Sequence, residues 1–400
     1  MNILFLTIGT LNDVEERGLY TDLIRKFRDE GHSVFVANPR EKRLNQETEL
    51  IKEKGVTFLR VKIGNLTKTN LIEKGVATLR IEGQFLKAIQ KYFSDIKFDL
   101  VLYSTPPITF EKVITYIKKR DQAKSYLLLK DIFPQNAVDL GMFSEKSVFN
   151  KYFTYKEKKL YSNSDYIGCM SPANVDFVVQ HNPEIDANIV EVCPNSIEPM
   201  SIQIEDSTKK AIREKYNIPV DKIVFIYGGN LGKPQGIDFL IDCLKANVTD
   251  LDIYFVIAGS GTEYKKLSSF FETEKPKNAQ LFSQLPKNDY ELLANSCDVG
   301  LIFLDNRFTI PNFPSRLLSY MQASMPVLAA TDVNTDIGRI IEEGQFGYWC
   351  ESRQVGDFNK GLHMFKNRQL RKQIGENARQ YLEENYTVQH SYDIIMKHFK

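Results

Sequence analysis

Tyr227-Gly228-Gly229-Asn230-Leu231-Gly232-Lys233-Pro234-Gln235-Gly236 is the stretch on which the reading of this chain turns. The apolar run Ile223-Val224-Phe225-Ile226 precedes it, and Ile237, Leu240, Ile241 and Leu244 follow at helical spacing. Strand, glycine-rich loop and helix is the order that brings backbone N–H groups to an anion at a helix N-terminus. Glycines let the backbone approach a phosphate closely, and Lys233 adds a point charge. An ordinary strand-to-helix turn that needs glycine only for positive φ fits the same letters. The spacing is neither that of a Walker A loop nor G-x-G-x-x-G, so ATP hydrolysis and nicotinamide binding are not the natural readings.

Outward from that stretch the whole chain alternates between strand and helix. Strands are expected at Ile3–Ile8, Ser33–Ala37, Thr57–Ile63, Asp99–Ser104, Ser125–Ile132, Tyr166–Met170 and Ile189–Cys193. A second series runs Ile223–Tyr227, Ile253–Ala258, Ala279–Phe282, Val299–Leu304, Val327–Ala330 and Gly347–Cys350. Near-continuous apolar strands separated by helices imply α/β domains with parallel sheets covered on both faces. The length of 400 residues favours two such domains. We place them at 1–195 and 222–385. A polar linker is expected over 196–221, and a terminal helix over 386–400, with Tyr392, Ile395, Met396 and Phe399 on one face.

Composition excludes several classes. The net charge of +1 leaves no basic footprint for nucleic acid. The five cysteines are scattered with no C-x-x-C, which points to reduced thiols in a cytoplasm and away from structural zinc. No apolar run approaches the roughly 20 residues that span a bilayer. Asp250-Leu251-Asp252 precedes its strand instead of ending it, so it reads as loop acid and not as a metal pair. Lys151 to Tyr161 mixes lysines with Tyr152, Phe153, Tyr155 and Tyr161. Such a helix can lie on an anionic membrane; the reading preferred here is an amphipathic helix with its aromatics toward the sheet.

Four further motifs, with the opening one, carry a resemblance. Lys130-Asp131-Ile132-Phe133-Pro134 and Leu140-Gly141 resemble "DLWP…LG". Gly259-Ser260-Gly261-Thr262-Glu263 resembles "G-x-G-x-E". Cys193-Pro194-Asn195-Ser196-Ile197-Glu198 resembles the "PNG-x-D" junction. Pro314-Ser315-Arg316-Leu317-Leu318-Ser319-Tyr320-Met321 resembles "PSK-LLEYM". Together they resemble retaining glycosyltransferases of family 4, nearest to the WbuB-like branch that builds capsule and O-antigen. That resemblance implies the GT-B fold, two Rossmann-like domains facing a central crevice, and transfer of a sugar from a UDP-sugar. An N-acetylated amino sugar such as N-acetylfucosamine would go to a lipid-linked surface glycan. It implies no resident cofactor and no metal, and a cytoplasmic protein with peripheral contact at the inner membrane face. Donor contacts are implied for Gly229, Asn230, Lys233, Gly261, Gln284, Leu285, Ser315, Arg316 and Ser319. Ser315 would cap a helix whose free amides meet the diphosphate.

Asp131 follows an apolar strand and is the catalytic candidate; a loop-capping Asp is the alternative. Gly9, Asp13 and Arg17, after the first strand, are candidates on the acceptor side. The family usually carries glutamates where this chain has Pro311 and Ser319, so ribose binding is expected to differ. Two rival functions follow: a GT-B UDP-sugar 2-epimerase, and a non-catalytic partner of a glycosyltransferase or glycan.

Overall fold

In the computed structural model, which describes residues 1–67, 69–201 and 204–399, the chain folds as two units. One comprises Met1–Glu198 together with the segment from Val388 onward, the other Pro199–Thr387. Among the described residues each is built on one twisted sheet.

The first sheet has eight strands in the order β3-β4-β2-β1-β5-β6-β7-β8. They are β1 Asn2–Leu6, β2 Ser33–Glu41, β3 Glu49–Glu53, β4 Val56–Ile63, β5 Leu100–Ser104, β6 Lys124–Leu129, β7 Tyr166–Cys169 and β8 Val190–Val192. Ile3, Phe5, Leu100 and Leu102 are buried on adjacent parallel strands, as continuous apolar runs require when both faces are covered. The strand order reverses between β1 and β5, the kind of place where open α/β sheets bind ligands. The Val388–Met396 helix belongs to this unit. Its Ile395 and Met396 join the core of Ile3, Leu23, Ile24 and Phe27. Tyr392 Oη and His32 Nε2 are hydrogen-bonded at 3.0 Å.

The second sheet has six parallel strands in the order β11-β10-β9-β12-β13-β14. They are β9 Ile223–Asn230, β10 Ile253–Ser260, β11 Ala279–Phe282, β12 Val299–Phe303, β13 Val327–Thr331 and β14 Gly347–Glu351. Here the order reverses between β9 and β12. Gly300 on β12 admits the Tyr320 ring, which a Cβ would meet at 2.4 Å. The buried Tyr320 hydroxyl then shares its one proton between the carbonyls of Ile226 and Leu301, at 3.1 and 3.2 Å.

Three expectations change. The pattern missed β3, which pairs antiparallel with β4 and so makes the first sheet mixed. Its letters are charged because it is an edge: Arg40 pairs with Glu49, and Arg60 with Glu53 at 3.1 Å. The expected linker at 196–221 is not extended chain throughout. Residues 202 and 203 of it lie outside the described residues, but Asp206–Lys215 is a helix. Its Arg213 donates from Nε to the Ser296 carbonyl at 2.9 Å and pairs with Asp298 at 2.9 Å.

The third change concerns the Val148–Asn163 helix, capped by Ser147, which accepts from the Asn150 amide. Its aromatics do not all face the sheet. Tyr161 is buried and Phe153 packs on Phe133 with ring centres 5.0 Å apart, but Tyr152 and Tyr155 are exposed. What faces inward instead is Lys156, buried with Nζ 3.1 Å from Glu82 and 3.6 Å from Glu111. Removing one partner of a buried ion pair strands the other charge, at a cost of about 3–5 kcal/mol. Lys156→Met is therefore expected to lower the unfolding free energy by that amount, read as a lower urea midpoint at an unchanged slope; an unaltered midpoint would show that the pair does not hold the helix.

Candidate functional site

Strand β9 does not stop at Tyr227. It runs on to Asn230 because Gly229 and Asn230 pair with Gly259 and Ser260 of β10. The glycines answer to close packing as well as to conformation. A Cβ on Gly228 would lie 1.7 Å from the Tyr290 hydroxyl, and one on Gly259 would lie 1.8 Å from the Gly229 carbonyl oxygen. Gly229 has φ +126°, which a side chain rarely tolerates. Beyond the strand, Leu231 is buried and Lys233–Gln235 forms one tight turn. Gly236 then leads, at φ +53°, into the Ile237–Ala246 helix. The Asn230 side-chain amide and the Gly232 N–H both donate to Gln235 Oε1 at 3.2 Å, so Gln235 braces the loop from within.

A cavity of about 450 Å³ opens over this strand end. Gly229, Asn230, Gln284 and Leu285, four of the residues expected on the donor side, line it. Ala258, Gly259, Ser260, Ser283 and Tyr290 complete the wall. Of these Tyr290 is the one that sequence reasoning missed with most consequence. Burial pushes its phenol above the ordinary value, while the Arg316 charge pulls it back. A bare Gly228 was the available signal, but nothing local says which ring fills the space.

Arg316 stands at the edge of this cavity. Its guanidinium lies over the Tyr227 ring, 4.1 Å from the centroid, and a Cβ on Gly229 would be 3.4 Å from its Nη2. Tyr227 is itself fixed, donating from its hydroxyl to the Asn230 carbonyl at 2.7 Å. Arg316 Nη1 is buried and, among the described residues, has no hydrogen-bond partner. A buried guanidinium N–H left unbonded is costly, and an acceptor at that point removes the cost.

The neighbouring expectations fare differently. Ser315 does not cap the Arg316–Gln322 helix through its side chain. The helix starts as a tight turn, so the Leu317 and Leu318 amides already donate to the carbonyls of Pro314 and Ser315, at 3.2 and 3.1 Å. Ser315, Ser319 and Lys233 are exposed and do not line the cavity. Gly261 packs beneath the loop, where a Cβ would lie 2.4 Å from the Leu231 carbonyl oxygen. Asp250 and Asp252 are closed by Lys366, at 2.8 and 3.3 Å.

In the first unit, Asp131 follows β6. Thr105 Oγ1 accepts from the Lys130 and Asp131 amides at 2.9 and 3.2 Å and fixes the turn. Asn136 donates to Asp131 Oδ1 at 2.7 Å. Burial pushes the Asp131 carboxyl up to about 6, against the Asn136 hydrogen bond, which lowers it. Glu157 is pushed by burial up to about 7, with the Asp131 charge adding to the rise. The buried Tyr161 hydroxyl donates to Glu157 at 3.0 Å. The acceptor-side candidates are occupied locally. The Gly9 amide donates to Thr7 Oγ1 at 3.0 Å, Asp13 pairs with Lys54 at 2.7 Å, and Arg17 donates to the Glu198 carbonyl at 2.6 Å.

The model for glycosyl transferases group 1 matches residues 208–381. That match lies within the second unit, Pro199–Thr387. "Probable glycosyltransferase WbjE" of Pseudomonas aeruginosa is 23% identical over 285 residues, 71% of this chain and 69% of that protein. WcaI of Escherichia coli K12, by its description a colanic acid biosynthesis glycosyl transferase, is 20% identical over 62% of this chain and 60% of its own length. Among solved structures, sucrose-phosphate synthase of Thermosynechococcus elongatus superposes with a TM-score of 0.75 at 13% identity, covering 99% of this chain and 98% of that one. HepE of Anabaena, solved with UDP and glucose, gives 0.71 at 16% identity, covering 100% and 99%. Likeness at such identity establishes the fold, which is GT-B.

A carboxyl that holds its proton to a higher pH in the folded chain than in the unfolded one makes stability fall as pH rises. For Asp131 that fall lies between the ordinary Asp value and about 6. Asp131→Asn has no proton to lose. Its melting temperature is therefore expected to gain on the native chain between pH 4 and pH 7. Curves that stay parallel would mean that the carboxyl is ionised throughout.

Proposed function

We propose that this protein is a retaining glycosyltransferase of the WbuB-like kind, acting in the cytoplasm. It moves a sugar from a UDP-sugar donor to a lipid-linked intermediate of a surface polysaccharide, a capsule or an O-antigen, at the inner face of the membrane. An N-acetylated amino sugar such as N-acetylfucosamine suits that role. The observation that carries the donor half is the unpartnered, buried Nη1 of Arg316 beside the Gly229 cavity. A diphosphate oxygen would satisfy it, and Arg pairs with phosphate by charge-assisted hydrogen bonds. The group 1 match over the same unit and the UDP bound by HepE support the choice of nucleotide. The backbone around Gln284 and Leu285 would then meet the base, and exposed Lys233 would swing to the phosphates. Ser319, in place of a carboxylate, would leave the ribose less firmly held.

Leaving-group charge would be neutralised by these cations without a divalent metal. In the first unit, Asp131 would orient the attacking hydroxyl of the acceptor or the sugar in transit, and Gly9, Asp13 and Arg17 would border the acceptor.

Two measurements test this. Calorimetry with UDP in excess chelator should show binding, and Arg316→Ala should weaken it by roughly ten- to a hundredfold, the worth of a hydrogen bond to a charge, without lowering the melting temperature. Binding that vanishes on chelation, or an affinity indifferent to Arg316, would remove the donor site as drawn. Asp131→Asn should cut turnover by about 10²–10⁴-fold and leave UDP affinity alone. Near-normal turnover would return Asp131 to loop capping, which Asn does equally well.

A further inference from the structure

Five of the chain's exposed large apolar side chains crowd into one short segment: Met142, Val148, Phe149, Tyr152 and Tyr155. Val148 is 81% exposed and Phe149 71%. On the helix they stand at i, i+1, i+4 and i+7, one stripe along one face. Lys156, Leu160 and Tyr161 are buried further along, so the later turns of the helix are held in the unit while the turns that carry most of the stripe stand out. The loop before it is tied to the helix by rings, Phe143 on Phe133 at 6.2 Å and Phe133 on Phe153 at 5.0 Å.

The charges around the stripe are mostly positive. Lys146, Lys151 and Lys159 make no ion pair among the described residues, and Lys159 sits 5.9 Å from the Tyr155 ring centre. Lys158 is matched by Glu184. Of the two acids in the segment, Glu145 is exposed, and Glu157 is turned inward to Tyr161. For a whole chain of charge +1 this positive field is local. An apolar stripe with phenols, bordered by unpaired lysines, matches the boundary between acyl chains and anionic head groups. A second copy fits less well, because a two-fold contact through this patch would set its own lysines against each other.

We infer that the exposed face of the Val148–Asn163 helix, with the loop before it, docks on an anionic phospholipid bilayer. This deepens the proposed function and rests on it for its purpose: the same helix backs the Asp131 loop, so adsorption would bring a lipid-linked acceptor to that carboxyl. The docking itself is testable apart from any transfer.

The experiment is co-sedimentation with phosphatidylcholine vesicles, with and without phosphatidylglycerol, at low and high salt. The native chain should sediment with the anionic vesicles and be released by salt. Val148→Asp with Phe149→Asp should lower partitioning by at least roughly tenfold. Lys151→Ala with Lys159→Ala should lower it about twenty-five-fold, from about fivefold for each lysine. All four positions are exposed, and melting curves check that the variants fold. No sedimentation of the native chain, or equal sedimentation of native chain and variants, overturns the assignment. So does a dimer that Val148→Asp with Phe149→Asp dissolves in the absence of vesicle binding, which would give the stripe to a second copy. Vesicle binding without UDP binding would keep the surface and sink the transferase reading; UDP binding without vesicle binding would do the reverse.

Discussion

A cation stacked on a ring with one nitrogen left over is the constraint around which the second unit is arranged. Arg316 rests on Tyr227, and Tyr227 is locked to the backbone of Asn230. Stacking of this kind is worth about 2 kcal/mol when desolvated, which does not replace a missing hydrogen bond to a buried charge. Among the described residues no carboxylate pairs with it. Tyr290 and Tyr320 fill the nearby space, each admitted by a glycine, Gly228 and Gly300. The glycines of the β9 end are there for phenols and neighbouring strands as much as for a ligand. On the proposed reading the ligand inherits what the packing leaves: a narrow seat, one free donor and a floor of backbone.

The strand pattern was plain in the letters because buried parallel strands are unbroken apolar runs, and both sheets follow it. Beta-strand β3 escaped because an edge strand is written in charges, and its partners Arg40 and Arg60 are brought to it only by the sheet. The Asp206–Lys215 helix escaped because its anchor is a single buried Arg213, invisible to hydrophobic periodicity. At the candidate site, Gly229 and Asn230 were legible as the glycine-rich end of a strand and Gln284 and Leu285 only through the resemblance; all four line the cavity. Tyr290 could not be, since its place depends on a helix folding back over Gly228. Ser315 misled for a related reason. A Ser before a helix looks like a cap, but a tight first turn had already used the amides it would serve.

The Val148–Asn163 helix shows the same limit from the other side. Its mixed lysines and aromatics read most simply as an amphipathic helix with its rings toward the sheet. Glu82, far away in sequence, takes Lys156 inward, although Phe149 seven residues earlier and Tyr152 four residues earlier on the same face are exposed. Burial on this helix therefore changes along its length as well as around it, and periodicity reports only the second.

The first unit is discontinuous, and that has a consequence for how it comes into being. Its core includes Ile395 and Met396, and the Val388 amide donates to the Ile197 carbonyl at 3.0 Å. During synthesis the first strands emerge early, but the pieces that seal them emerge only after the whole second unit. Until then Ile24 and Phe27 lack part of their cover. The order of folding is therefore inverted with respect to the order of translation: the unit begun first is finished last, and a polypeptide released at the end of Pro199–Thr387 would carry a complete second unit and an unsealed first one.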